Sequence, residues 1–168
     1  WLITHAHADH YNCLWSFSKT YGQLVNLECM MISLPAASDS PHPTVHNQIG
    51  GIVARFRGGV NIPVLTVHTG MVFRFGDAEM QILYSPEELY AESPIPTDFN
   101  ESSVISRVRI GDRSAIFLGD AGAKSCGVIS ALWGDTLRSD IVQIAHHGCE
   151  TAPVSIYRLI AAPVLFWP

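Results

Sequence analysis

The sequence predicts an α/β fold, on three observations. Apolar, β-branched runs alternate with stretches of helical periodicity along all 168 residues. Hydrophobic residues make up 48% of the chain and charged residues only 15%, a balance that suits sheets covered on both faces. The candidate polar site residues at 5, 120 and 146 each follow an apolar run, where strand ends feed their loops into a common crevice. A chain of this length supports a single domain with a sizeable core, so residues 1–168 are read as one unit.

The elements follow in order. Residues 10–21 predict a helix, with Leu14, Phe17 and Tyr21 on one face and Gly22 as its stop. A strand is expected over 24–34, a loop over the proline-containing stretch 35–43, and a second helix over 46–56, ended by Gly58-Gly59. A strand at 62–67 precedes two hairpins, 72–75 with 80–84 around Gly76-Asp77, and 104–110 with 115–118 around Gly111-Asp112. The three prolines of 85–100 make a long loop, of the kind that can wall a cleft. A helix at 125–133, a short buried strand at 141–145 and a helix at 153–161 complete the chain, and the apolar run 164–168 reads as an unfinished strand. That ending, and Trp1 in first position, lead us to expect a fragment truncated at both ends.

The chemistry is concentrated at the start. Trp1 to Ile3 run straight into His5, His7, Asp9 and His10. Three imidazoles and a carboxylate this close waste core volume and repel when protonated, unless a cation organises them. Imidazole nitrogen with a carboxylate suits zinc, and less selectively iron or manganese. In extended chain His5 and His7 project to one side, while Asp9 and His10 can turn toward a second point, which favours two neighbouring ions.

Thr4-His5-Ala6-His7-Ala8-Asp9-His10 resembles the His-x-His-x-Asp-His signature of the metallo-β-lactamase superfamily. Ile116-Phe117-Leu118-Gly119-Asp120 and Ile144-Ala145-His146-His147-Gly148 resemble its later landmarks. With Asn100-Glu101-Ser102-Ser103 between them, the pattern is similar to the branch typified by the metallo-hydrolase domain of the bacterial competence protein ComEC. The resemblance implies an αββα sandwich, normally with further strands ahead of the histidine motif. It also implies a dinuclear hydrolase. His5 and His7 would hold one ion, Asp9 and His10 the other, with Asp120 bridging both and His146 as the last ligand of the second. A third histidine for the first ion, common in the superfamily, is replaced here by the Asn-Glu-Ser-Ser segment. Asn100 or Ser103 could donate to a substrate oxyanion. His147, beside a ligand, is read as a proton donor to the leaving group.

Two ions would lower the pKa of a shared water from 15.7 to about 7 and present hydroxide to phosphorus or carbonyl carbon. The branch resemblance implies a phosphodiester substrate; amides, lactones and thioesters are the alternative, and a non-catalytic metal-stapled domain is a third. Net charge is −5, so no basic field draws in a nucleic acid. The four cysteines show no CxxC spacing and read as free thiols, which favours a reducing compartment. No apolar run is long enough for a membrane helix. No G-x-S-x-G elbow or lysine-bearing phosphate loop is present, and no organic cofactor is expected.

Overall fold

The computed structural model describes residues 1–34, 44–86, 99–149 and 151–168, with the backbone alone at 46 and 60. The loop expected at 35–43 and most of that at 85–100 lie outside the described residues. Two sheets form the centre. Met30–Ile32 (β1) pairs in parallel with Val64–Thr66 (β2). The second sheet runs in spatial order Val72–Phe75 (β3), Ala78–Tyr84 (β4), Ile105–Ile110 (β5), Arg113–Phe117 (β6), Ile141–Gln143 (β7) and Val164–Phe166 (β8). β3 to β6 are antiparallel neighbours, joined by the two expected hairpins. β6, β7 and β8 are parallel, so each step needs a crossover. Ala123–Trp133 (α3) and Val154–Ile160 (α4) supply them. Ala8–Tyr21 (α1) and Thr44–Val53 (α2) precede them in the chain.

Side-chain alternation sorts these elements into layers. Met30 and Ile32 of β1 pack with Leu14 of α1 and Ile49 and Ile52 of α2, while Met31 between them points the other way, onto Val67, Met80, Ile82 and Val104. A strand buried on both faces is what the period of two requires here. On the far side, Ile116 and Val142 meet Cys126 and Ile129 of α3 and Ile156 and Ile160 of α4. The layers are therefore helices, sheet, sheet, helices: the expected αββα sandwich.

Two expectations change. The strand predicted over 24–34 shrinks to Met30–Ile32, after a 3-10 turn at Gly22–Leu24. The chain is pinned there by close approach: a Cβ on Gly22 would lie 2.5 Å from the Arg55 carbonyl oxygen. Nor are all strands covered on both faces. Val64 and Leu65 of β2, and Val164, Leu165 and Phe166 of β8, are exposed at the sheet margins. No helix among the described residues is long and apolar enough to cross a membrane.

Candidate metal centre

The lead-in Trp1–Ile3 lies along β1, with the Ile3 N–H donating to the Met31 carbonyl (3.0 Å) and the Met31 N–H to that of Trp1 (2.7 Å). The histidine motif thus begins where this strand leaves its sheet. His5 is fully buried. α1 starts at Ala8, two residues earlier than its apolar periodicity indicates, so Asp9 and His10 occupy its first turn and His7 its N-cap position. An acid in the first turn suits the helix dipole, and the turn carries Asp9 toward a second group while the His10 ring stays packed against His5 (centroids 4.1 Å).

These side chains meet Asp120, three residues past Phe117 at the end of β6. His10 Nε2 lies 3.1 Å from Asp120 Oδ2, and His5 Nε2 lies 3.6 Å from the same oxygen. His5 Nε2 and His7 Nδ1 are 3.0 Å apart. Two groups result, each with ligand atoms within 4.8 Å of one another: His5, His7 and Asp120; and Asp9, His10, Asp120 and His147. Asp120 belongs to both. Its Oδ1 is buried without a hydrogen-bond partner among the described residues. A carboxylate oxygen left bare amid imidazoles is costly unless a cation meets it. This donor set of imidazoles and carboxylates therefore fits borderline divalent ions.

The electrostatics agree. Burial, reinforced by the neighbouring His10 and His7 against the opposing pull of Asp120, pushes His5 down to about 3, so its ring is neutral and keeps a lone pair. Burial acts to raise Asp120, but the hydrogen bond from His10 and the surrounding His10, His5 and His146 rings outweigh it and hold the carboxyl below its usual range. Asp9 is held low in the same manner by its backbone hydrogen bond, His10 and His147, against its slight burial.

The histidine pair departs from expectation in its backbone. Extended chain would make the two rings diverge, with only His146 reaching the site. Instead His146 and His147 both take left-handed conformations (φ 50° and 51°), followed by Gly148 at φ 83°. The turn is closed by the Cys149 N–H on the His146 carbonyl (2.7 Å). Left-handed backbone costs a residue with a Cβ roughly 1–2 kcal/mol, and such strain gathers at functional sites. The turn brings both rings inward: His146 Nε2 is 3.9 Å from Asp120 Oδ2, and His147 Nε2 is 3.2 Å from Asp9 Oδ2. His147, not His146, falls in the second ligand group.

Asn100 and Ser103 flank the site differently from one another. Asn100 sits in a 3-10 turn, Phe99–Ser102, and its carbonyl accepts the Ser103 N–H (3.0 Å). Ser103 is fully buried behind His5: its Oγ lies 3.2 Å from His5 Nδ1 and accepts the Asp120 N–H at 3.0 Å. That hydroxyl backs the cluster, and no face of it is open to a substrate.

Three contributors carried no signal in the motif reading. Thr4 Oγ1 lies 3.2 Å from Nδ1 of both His5 and His10. The buried Glu101 carboxylate accepts the N–H groups of Lys124 (3.0 Å) and Ser125 (2.9 Å) and the Ser125 hydroxyl (2.8 Å), capping α3 from another part of the chain. Gln143 clamps Gly119, accepting its N–H at 2.8 Å and donating to its carbonyl at 3.1 Å. Gly119 has φ 57°, and a Cβ there would meet Ser103 and Thr4 at 3.0–3.3 Å, so only glycine fits the approach to Asp120. All four cysteines are free. His42 lies outside the described residues, as does the side chain of His46.

Layering and site together define the metallo-β-lactamase fold. The chain is similar to the metallo-β-lactamase fold protein YhfI from Bacillus subtilis (TM-score 0.52, 9% identity, 98% of this chain and 61% of that one). It is similar also to a possible metal-dependent hydrolase from Veillonella parvula (TM-score 0.50, 15% identity, 97% and 59%). A weaker likeness links it to Zn²⁺-bound PqqB from Methylobacterium extorquens (TM-score 0.46, 14% identity, 84% and 44%). The chain spans less than two thirds of each of these structures. No protein-family model matches it, and no curated protein matches it significantly. The shared property is the fold.

Proposed function

We propose that the chain is a metal-dependent hydrolase with a dinuclear centre, acting on phosphodiesters. One observation carries this: the two ligand groups meet at Asp120, and a shared carboxylate is how two nearby cations are kept from repelling each other. His5, His7 and Asp120 would hold the first ion, with Asp9, His10, Asp120 and His147 holding the second. Zinc fits best, manganese or iron next. Ions held there would lower the pKa of water to about 7 and stabilise negative charge developing on the substrate.

The remaining chemistry belongs to the side chains. The first group is buried around His5, whereas the Asp9 and His147 side chains are 60% and 47% exposed, so substrate approaches from the second group's side. His146, with its Nε2 pointed at Asp120 but outside the ligand groups, stands ready to deliver a proton to the leaving group, the task first read for His147. The phosphodiester class rests on the likeness of 100–103 and 146–148 to the ComEC-type branch. With a net charge of −5, a small phosphodiester fits this chain better than a long nucleic acid.

A substrate panel on the zinc-loaded protein tests the proposal, comparing a chromogenic bis-phosphodiester, single-stranded DNA, a lactone and a β-lactam. Turnover of the bis-phosphodiester, lost in Asp120→Ala, is expected. Preference for the lactone or β-lactam would move the assignment to carbonyl substrates. Two bound ions with no turnover of anything would leave a metal-stapled domain.

A further inference from the structure

Between the two ligand groups lies a hydroxyl that the metal-centre reading does not use. Thr4 Oγ1 is 3.2 Å from His5 Nδ1 and 3.2 Å from His10 Nδ1, one histidine from each group. Both rings turn their other nitrogen, Nε2, toward Asp120. We propose that Thr4 is a shared positioning residue that fixes the tautomer of one ligand in each group and so couples the two ion positions. The inference rests on the dinuclear reading above and adds the residue that governs it.

The number of protons on each ring decides which nitrogen can meet an ion. A neutral imidazole carries one N–H, so an Nε2 lone pair offered to a cation requires the proton on Nδ1. Nδ1–H then needs an acceptor. For His5 two are in reach, Thr4 Oγ1 and, at 3.2 Å, Ser103 Oγ. For His10 the hydroxyl of Thr4 lies 3.2 Å from Nδ1. A threonine oxygen has two lone pairs, enough to accept from both rings at once. If Thr4 donates to either ring instead, that ring's proton moves to Nε2, facing Asp120, where His10 already lies within 3.1 Å. That tautomer blocks its ion. One rotor thus stands behind a histidine of each position, whereas Ser103 backs His5 and the Asp120 N–H but no histidine of the second group. The placement is fixed from the backbone: the Thr4 carbonyl accepts the Val104 N–H at 2.9 Å, and a Cβ on Gly119 would lie 3.3 Å from Thr4 Cβ.

The test is zinc titration by calorimetry with a competing chelator, on the whole chain and on Thr4→Val, Thr4→Ser and Ser103→Ala. Loss of an outer hydrogen bond to a ligating histidine typically costs 10–100-fold in metal affinity. Thr4→Val, which keeps the shape and removes the hydroxyl, should weaken both binding steps by about that factor. Thr4→Ser should restore both, and Ser103→Ala, which removes an acceptor from His5 and from the Asp120 N–H, should weaken the first step more than the second. In the metal-free protein Thr4→Val removes the same hydroxyl contacts to His5 and His10, so its melting temperature should fall modestly and Thr4→Ser should restore it. In the zinc-loaded protein, nitrogen-15 NMR should place the His5 and His10 protons on Nδ1 and show the His10 Nδ1–H exchanging faster with water in Thr4→Val. Thr4→Val weakening only one step, or neither, overturns the coupling while leaving the dinuclear centre standing. Failure of Thr4→Ser to restore affinity makes Thr4 a packing residue and overturns the proposal too. Failure of the unaltered chain to take up two ions overturns the dinuclear reading itself, and this inference with it.

Discussion

At the scale of single residues, the grouping of candidate ligands could be read from sequence where they lie close together or follow a landmark strand. His5, His7, Asp9 and His10 lie within six positions, and Asp120 follows an unmistakable strand. Thr4, Glu101 and Gln143 could not be read, because a hydroxyl or amide means something only once its partner is known, and Glu101 and Gln143 find theirs about 24 residues away. The His146-His147 backbone was equally hidden, since non-glycine residues seldom adopt positive φ. That turn yields a prediction. His147→Ala should lose one bound ion, measured by elemental analysis, because it removes a member of the second ligand group. His146→Ala should keep both ions and lose turnover by about 10²–10⁴-fold, the usual cost of a missing general acid. The reverse pattern would exchange the two roles. A second residue-scale prediction concerns Asp140, which lies at the opposite end of β7. Its carboxylate accepts the Ser114 N–H at 2.8 Å and pairs with Arg113 at 2.9 Å, and these contacts, Ser114 first, hold it below the usual value of 3.8. A lowered folded-state pKa contributes stability that is present above pH 3.8 and lost as pH falls through the folded value. Asp140→Asn should therefore melt lower than the unaltered chain at neutral pH, with the gap closing below about pH 3.8. A gap that stays constant down to the lowest pH would show that charge is not what Asp140 contributes.

At the scale of elements, hairpins and amphipathic helices were legible because turn dipeptides and local periodicity encode them. The short strands were not. β1 has three residues, too few for alternation to show, and its limits are set by what Trp1–Ile3 and Pro63 offer its backbone. The most informative element is α3, whose N-terminus directly follows the Asp120 loop and is capped by a carboxylate from the 3-10 turn at Phe99–Ser102. The cap explains why the segment between the histidine motif and Asp120 carries Glu101, and it links the position of Asp120 to that turn. It also explains Gly122, where a Cβ would lie 2.4 Å from Glu101 Oε1. Glu101→Ala leaves the Lys124 and Ser125 N–H groups without this acceptor, and the Ser125 hydroxyl with its longer bond to the Gly122 carbonyl (3.4 Å), and should cost about 2–3 kcal/mol. At roughly 2–4 °C per kcal/mol for a chain of this size, the fall is readily seen in a thermal melt. Gly122→Ala should destabilise in the same direction by displacing the carboxylate, and Glu101→Gln should do so less, because it retains an acceptor. Equal melting of Glu101→Ala and the unaltered chain would mean that water caps α3 as well as Glu101 does.

At the scale of the molecule, the site lies where three chain regions from the two sheets come together. The histidine motif leaves the strand beside β1, Asp120 leaves β6, and His147 follows β7. The cores behind them are separate: one under α1 and α2, another under α3 and α4, and a small third between the sheets. Ions at Asp120 would therefore cross-link the two sheets at their open end, and the unfolded chain offers no such arrangement. Binding to the folded state alone stabilises by about 2.7 kcal/mol when free ion is a hundredfold above Kd. For each ion that amounts to a rise in melting temperature of roughly 5–10 °C. Zinc should produce that rise and a chelator should reverse it. Asp120→Ala should show neither, because it removes the group common to both positions. Thr4→Val, with weaker binding, should need proportionately more zinc for the same rise. An unchanged midpoint at full occupancy would mean that the ligands are no better arranged in the folded chain than in the unfolded one. The cluster around Asp120 would then be a set of neighbouring polar residues, and the metal centre would have to be abandoned.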